Sequence, residues 1–153
     1  MGRLARKLRD GIELDPRDAA AELAAAHQDE RGWLDEFAES LDRHRAGQSL
    51  ARTLAVWDLN QSQAARIFGV SRQALNKWLD HGVPADRAEA IADLAAATDL
   101  LVRYLKRERV PAVVRRPAEA LKNRSLLELL EGGETRTVLE VCRDMFQFDR
   151  AQH

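Results

Sequence analysis

A single cysteine, Cys142, stands in a chain of 153 residues, which excludes a disulfide framework and a multi-cysteine zinc site. Valine and isoleucine are scarce, 12 together against 25 alanines and 21 leucines. That balance argues against sheets, because alanine and leucine lose little conformational freedom in a helix. Only four prolines interrupt the chain, and no apolar run approaches the roughly 20 residues that span a bilayer. The N-terminus carries Arg3, Arg6, Lys7 and Arg9 but lacks the apolar stretch of a signal peptide. His27, His44, His81 and His153 lack metal-ligand spacing, and Gly132-Gly133 is a turn and no phosphate loop. The expectation is an all-α, cytoplasmic chain with no membrane span, no metal, no cofactor and no catalytic centre.

Net charge is also missing, at −1, but the average conceals blocks. Residues 10–42 hold eleven acids against Arg17 and Arg31, whereas residues 103–124 hold eight bases against Glu108 and Glu119. Residues 48–82 are mildly basic, with Arg52, Arg66, Arg72 and Lys77 against Asp58 and Asp80.

Asp15-Pro16-Arg17-Asp18 has the form of a helix start, with an N-cap acid and proline at the first helical position. A second helix is expected from Trp33 with Leu34, Phe37 and Leu41 on one stripe, ending at Gly47 as a C-cap. Short helices near 49–57, 62–68 and 71–80 follow. A longer one opens at Pro84, with Ala88, Ile91, Leu94, Leu101 and Leu105 inward, and reaches 106–109. Two prolines and three valines in residues 110–117 suggest an extended linker, and hence a boundary. Beyond it, helices are expected at 118–122, at 126–131 behind Ser125, and from 134 to 146. The division is then an N-terminal extension at 1–46, a central domain at 47–109 and a C-terminal module at 110–153.

Within Leu59–Trp78 each interruption has a steric reason. Ala65 is small where two helices cross, and Gly69 sits where a positive φ is cheapest. Ser71 can cap the second helix. Leu75 and Trp78 face inward with Ile67 and Phe68, which leaves Arg72, Gln73, Asn76 and Lys77 outward. Arginine pairs bidentately with guanine, and glutamine or asparagine with adenine, so this face suits the major groove. These residues resemble the lambda-repressor-like, Xre-type helix-turn-helix domain over about residues 48–100. By that resemblance Gln61 and Gln63 contact the DNA backbone, while Ser71, Arg72, Gln73, Asn76 and Lys77 supply contacts at the recognition helix.

In the C-terminal stretch, Leu126, Leu127, Leu129 and Leu130 nearly surround a helix too short to be stable alone. Val138, Leu139 and Val141 are the expected partners, with some leucine surface left over for another protein. Phe146 and Phe148 add aromatics to a polar tail with the character of a pocket anchor. The order Pro117, Leu121, Ser125-Leu126-Leu127-Glu128-Leu129-Leu130, then a glycine step and a valine-containing helix, resembles the toxin-binding domain of Xre/MbcA/ParS-type antitoxins. The resemblance implies a non-catalytic antitoxin that neutralises a RES-domain, NAD-consuming or ADP-ribosylating toxin and represses its own operon. Leu126, Leu127, Leu130, Phe146, Phe148 and Arg150 are then the toxin-binding candidates, and operator DNA, the toxin and a second copy of the chain are the partners. The alternative is a free-standing repressor whose C-terminal hairpin serves only to dimerise.

Overall fold

Asp15 opens the first described helix as expected, its carboxylate accepting the Arg17 main-chain N–H at 2.8 Å ahead of Pro16. The computed structural model describes residues 15–26 and 31–151; the side chains of Arg31 and of residues 148–151 fall outside that description. The described residues form α1 (Pro16–Ala26), α2 (Arg31–Trp57), α3 (Gln61–Phe68), α4 (Arg72–His81), α5 (Ala88–Tyr104), α6 (Val110–Arg115), α7 (Leu126–Glu131) and α8 (Thr135–Ala151). Short 3-10 turns stand at Ala85–Arg87, Arg107–Arg109 and Glu119–Leu121. Among these residues there is no strand, only an isolated bridge between Ala118 and Arg124, so the protein is all-α.

Two compact units divide the chain, residues 1–41 and 42–153. In the first, Trp33 and Phe37 lie one helical turn apart and stack at 5.1 Å between ring centroids. Leu41, expected on the same stripe, is 43 % exposed.

The second unit carries one continuous core. Leu50, Trp57, Leu75, Leu94, Leu101, Val114, Leu130 and Leu139 are all buried within it. The Trp57 indole N–H donates to the Thr98 hydroxyl at 3.0 Å, and that hydroxyl donates to the Leu94 carbonyl at 2.8 Å. The buried Thr98 hydroxyl is therefore satisfied as acceptor and as donor, as burial requires, and the likewise buried Thr53 hydroxyl lies 3.5 Å from it. The last helix, α8, packs along α5, and Arg136 on α8 pairs with Asp93 on α5 at 3.1 Å.

Five expectations about elements need correction. Gly47 does not cap a helix, since α2 runs on to Trp57. Its small size serves a close crossing: a Cβ there would lie 2.8 Å from the Trp78 carbonyl oxygen. The long α5 ends at Tyr104, where Leu105 turns extended, short of the expected 106–109. Residues 110–117 are no extended linker, because Val110–Arg115 is a helix with Pro111 in its first turn, where a missing N–H costs nothing. Val110 and Val114, one turn apart, are both fully buried, and each such burial is worth roughly 1.5–3 kcal/mol. Finally, 118–122 forms only a 3-10 turn at Glu119–Leu121, while the last helix extends past 146 to Ala151.

Candidate nucleic-acid interface

The helix pair α3 and α4 is held by caps at both junctions. Asn60 accepts the Gln63 N–H at 2.8 Å, and the Gln63 carboxamide oxygen accepts the Asn60 N–H at 3.0 Å. This reciprocal box starts α3 without an acid in its first turn. At the other end Gly69 adopts φ +64°, and the following Val70 N–H donates to the Ala65 carbonyl at 2.9 Å. A Cβ at Gly69 would meet nothing, so conformation, and no crowding, selects glycine there. Ser71 then caps α4, its hydroxyl accepting the Ala74 N–H at 3.0 Å.

Ala64, Ala65, Leu75 and Trp78 face the core, and Phe68 meets Trp78 edge-on at 5.9 Å. Arg87 braces the same corner. Its guanidinium donates to the Phe68 carbonyl at 2.9 Å and lies 5.6 Å from the Trp78 ring centroid. At 100° per residue, Arg72, Gln73, Asn76 and Lys77 fall within an arc of about 140° opposite Leu75 and Trp78. Arg72, Gln73 and Lys77 are exposed and Asn76 half-buried, with Arg72, Gln73 and Asn76 lining one shallow open depression. Among the described residues no ion pair engages Arg66, Arg72 or Lys77. Neither α3 nor α4 has an acid in its first turn, so both positive helix ends lack a nearby carboxylate on their own helix.

Of the expected backbone contacts, Gln61 is exposed at the start of α3. Gln63 is half-buried, and its carboxamide oxygen serves the capping box, which leaves the NH₂ group free to donate outward. Ser71 likewise has a capping duty, and its hydroxyl proton and second lone pair remain for a ligand. The geometry brings Gln61 and Gln63 to one helix start and Arg72, Gln73, Asn76 and Lys77 to one face of the next helix.

The toxin-binding candidates fare differently. Leu126 and Leu130 are 3 % and 0 % exposed and belong to the core, so they offer no surface to a partner. Sequence reasoning supplied one neighbour, the last helix, and found surplus leucine. In the fold α7 packs against α3, α6 and α8, which cover its Leu126, Leu129 and Leu130 side. Leu127 stays half-buried. Phe146 is no free anchor, because it stacks on Tyr104 at 4.6 Å with ring planes 14° apart. Phe148 and Arg150 lie on the backbone of α8, but their side chains fall outside the described residues.

Two contacting residues escaped sequence reasoning. Arg87 carried no signal beyond its charge. Arg115 donates to the carbonyls of Trp57 at 2.8 Å, Asp58 at 2.8 Å and Pro111 at 2.9 Å, which joins the C-terminal third to the end of α2. Nothing local in the sequence pairs residue 115 with residue 57.

Cys142 is fully buried, and burial pushes its thiol up to about 12, which keeps it protonated at neutral pH. Among the described residues no group of three or more histidine, cysteine or carboxylate side chains could hold a metal, and no helix is long and apolar enough to cross a membrane. No family model, no curated protein and no solved structure matches the chain.

Proposed function

We propose that this chain is a DNA-binding repressor of the antitoxin type, with α4 as its recognition helix. The observation that carries the reading is the outward face of α4. Two hydrogen-bonding carboxamides and two unpaired cations project from a helix locked by a serine cap, a left-handed glycine and the Arg87 brace. Preorganised side chains of these types match base edges in the major groove, while Gln61 and the α3 N-terminus suit a phosphate. Three unpaired cations on α3 and α4 make a small electrostatic footprint, so a dimer on half-sites about one helical turn apart fits better than a monomer.

The antitoxin role rests on the sequence resemblance, which names a RES-domain toxin as partner. With Leu126 and Leu130 in the core, the half-buried Leu127 and the outer side of α8 are what remains of the expected surface.

The DNA reading is tested by titrating the duplex upstream of the chain's own gene at fixed salt. Arg72→Ala or Gln73→Ala should each weaken binding by about 1–3 kcal/mol and relax base preference. Unchanged affinity in both variants overturns the recognition-helix assignment.

A further inference from the structure

The basic block at 103–124 has no part in the interface described so far, and most of it is not consumed by the fold. Arg115 is spent on main-chain carbonyls, Arg124 pairs with Glu134 at 3.0 Å, and Arg103 lies 5.6 Å from the Tyr104 ring centroid. Lys106, Arg107, Arg109, Arg116 and Lys122 remain exposed, and among the described residues no ion pair engages them. Only Glu108 and Glu119 stand among them, so the block presents a net positive surface that favours an anionic partner.

Their place in the fold says which anion. The Arg115 hydrogen bonds hold the end of α6 against Trp57 and Asp58. Asp58 is three residues from Gln61, at most about 11 Å of chain, so α6 ends beside the start of α3. Packing agrees, because α7 touches both α3 and α6. Arg107 and Arg109 form the turn that enters α6, and Arg116 follows its last residue. The same Arg115 nitrogen that reaches Trp57 also donates to the Pro111 carbonyl at 2.9 Å. The first turn of α6, with Arg109 immediately ahead of it, and Arg116 at its end therefore both lie near the end of α2 that leads into α3, whose first turn carries no acid.

We propose that Arg107, Arg109 and Arg116 form a second phosphate-contact surface, continuing from the N-terminus of α3 along the DNA backbone outside the major groove. This rests on the DNA reading above, and it supplies the charge that α3 and α4 lack. A row of arginines beside a phosphate-directed helix end fits a polyanion of regular spacing, and duplex DNA already accounts for α4.

The test uses the full chain and a labelled 30-base-pair duplex of random sequence, followed by fluorescence anisotropy across a potassium chloride series. The triple variant Arg107→Gln, Arg109→Gln, Arg116→Gln should lower the slope of log K against log salt by about 2–3, since each phosphate contact contributes about 0.9. Its affinity at moderate salt should fall roughly tenfold to a few hundredfold. The Arg72→Ala, Gln73→Ala double variant should instead lose its preference for the duplex upstream of the chain's own gene over this random one, while its slope changes by no more than about 1. Should the triple variant melt early, Arg107→Gln and Arg116→Gln singly must each still lower the slope by about 0.9. A triple variant with the wild-type slope overturns this surface and leaves the α4 assignment standing. A wild-type chain that binds no duplex overturns both. If single-stranded RNA of equal length competes more strongly than the duplex, and through these same arginines, the assignment to DNA is overturned in favour of RNA.

Discussion

Glycine illustrates how one residue type answers two different demands in this chain. At Gly69 the demand is conformational: φ is +64° and the space a Cβ would fill is empty. At Gly47 the backbone is ordinary helix, but a Cβ would sit 2.8 Å from the Trp78 carbonyl, which cannot move without shifting α4. Gly69→Ala should therefore cost about 1–2 kcal/mol, and Gly69→Asn distinctly less, because asparagine tolerates the left-handed region. Gly47→Ala should cost about 1–3 kcal/mol by overpacking, and Gly47→Asn should be worse. Urea unfolding of the four variants checks this, and the opposite ordering of alanine and asparagine at the two sites is the signature. Equal losses for alanine and asparagine at both sites would contradict it. The sequence reading found the role of Gly69 but misread Gly47, since a glycine at the end of an apolar stripe is the same letter whether it caps a helix or admits a neighbour.

Among the elements, short local signals were legible and long-range ones were not. The capping residues Ser71 and Ser125 open α4 and α7 where the pattern placed them, because a cap is a contact between residues three apart. The outward face of α4 was legible for the same reason, as helical spacing alone separates Arg72, Gln73, Asn76 and Lys77 from Leu75 and Trp78. The helix α6 was not, because proline and valine disfavour it locally and its stability comes from the burial of Val110 and Val114 and from the Arg115 bonds to Trp57 and Asp58. That helix stands where an extended linker was expected ahead of the C-terminal module. Cutting the chain after residue 116 should leave two fragments that each lose most of their helical circular dichroism, since the cut parts Leu75, Leu94 and Val114 from Leu130 and Leu139 in one core. In cells expressing a RES-domain toxin, the full chain should protect and residues 117–153 alone should fail. Protection by that fragment would restore a modular reading, and failure of the full chain would contradict the antitoxin role.

At the scale of the molecule, a net charge of −1 hides an uneven supply of cations. In residues 42–153 a single core fixes α3, α4 and α6 together. The exposed arginines on either side of α6 are thus carried by the same core as α3 rather than by a flexible connection. The central claim, that α4 reads the major groove, is tested most directly by methylation interference on a duplex selected from a random pool. Methylation at guanine N7, which lies in the major groove, should block binding at discrete positions, and Arg72→Ala should abolish that interference at one or more of them. Interference confined to adenine N3 in the minor groove, or a pattern that Arg72→Ala and Gln73→Ala leave untouched, would contradict it.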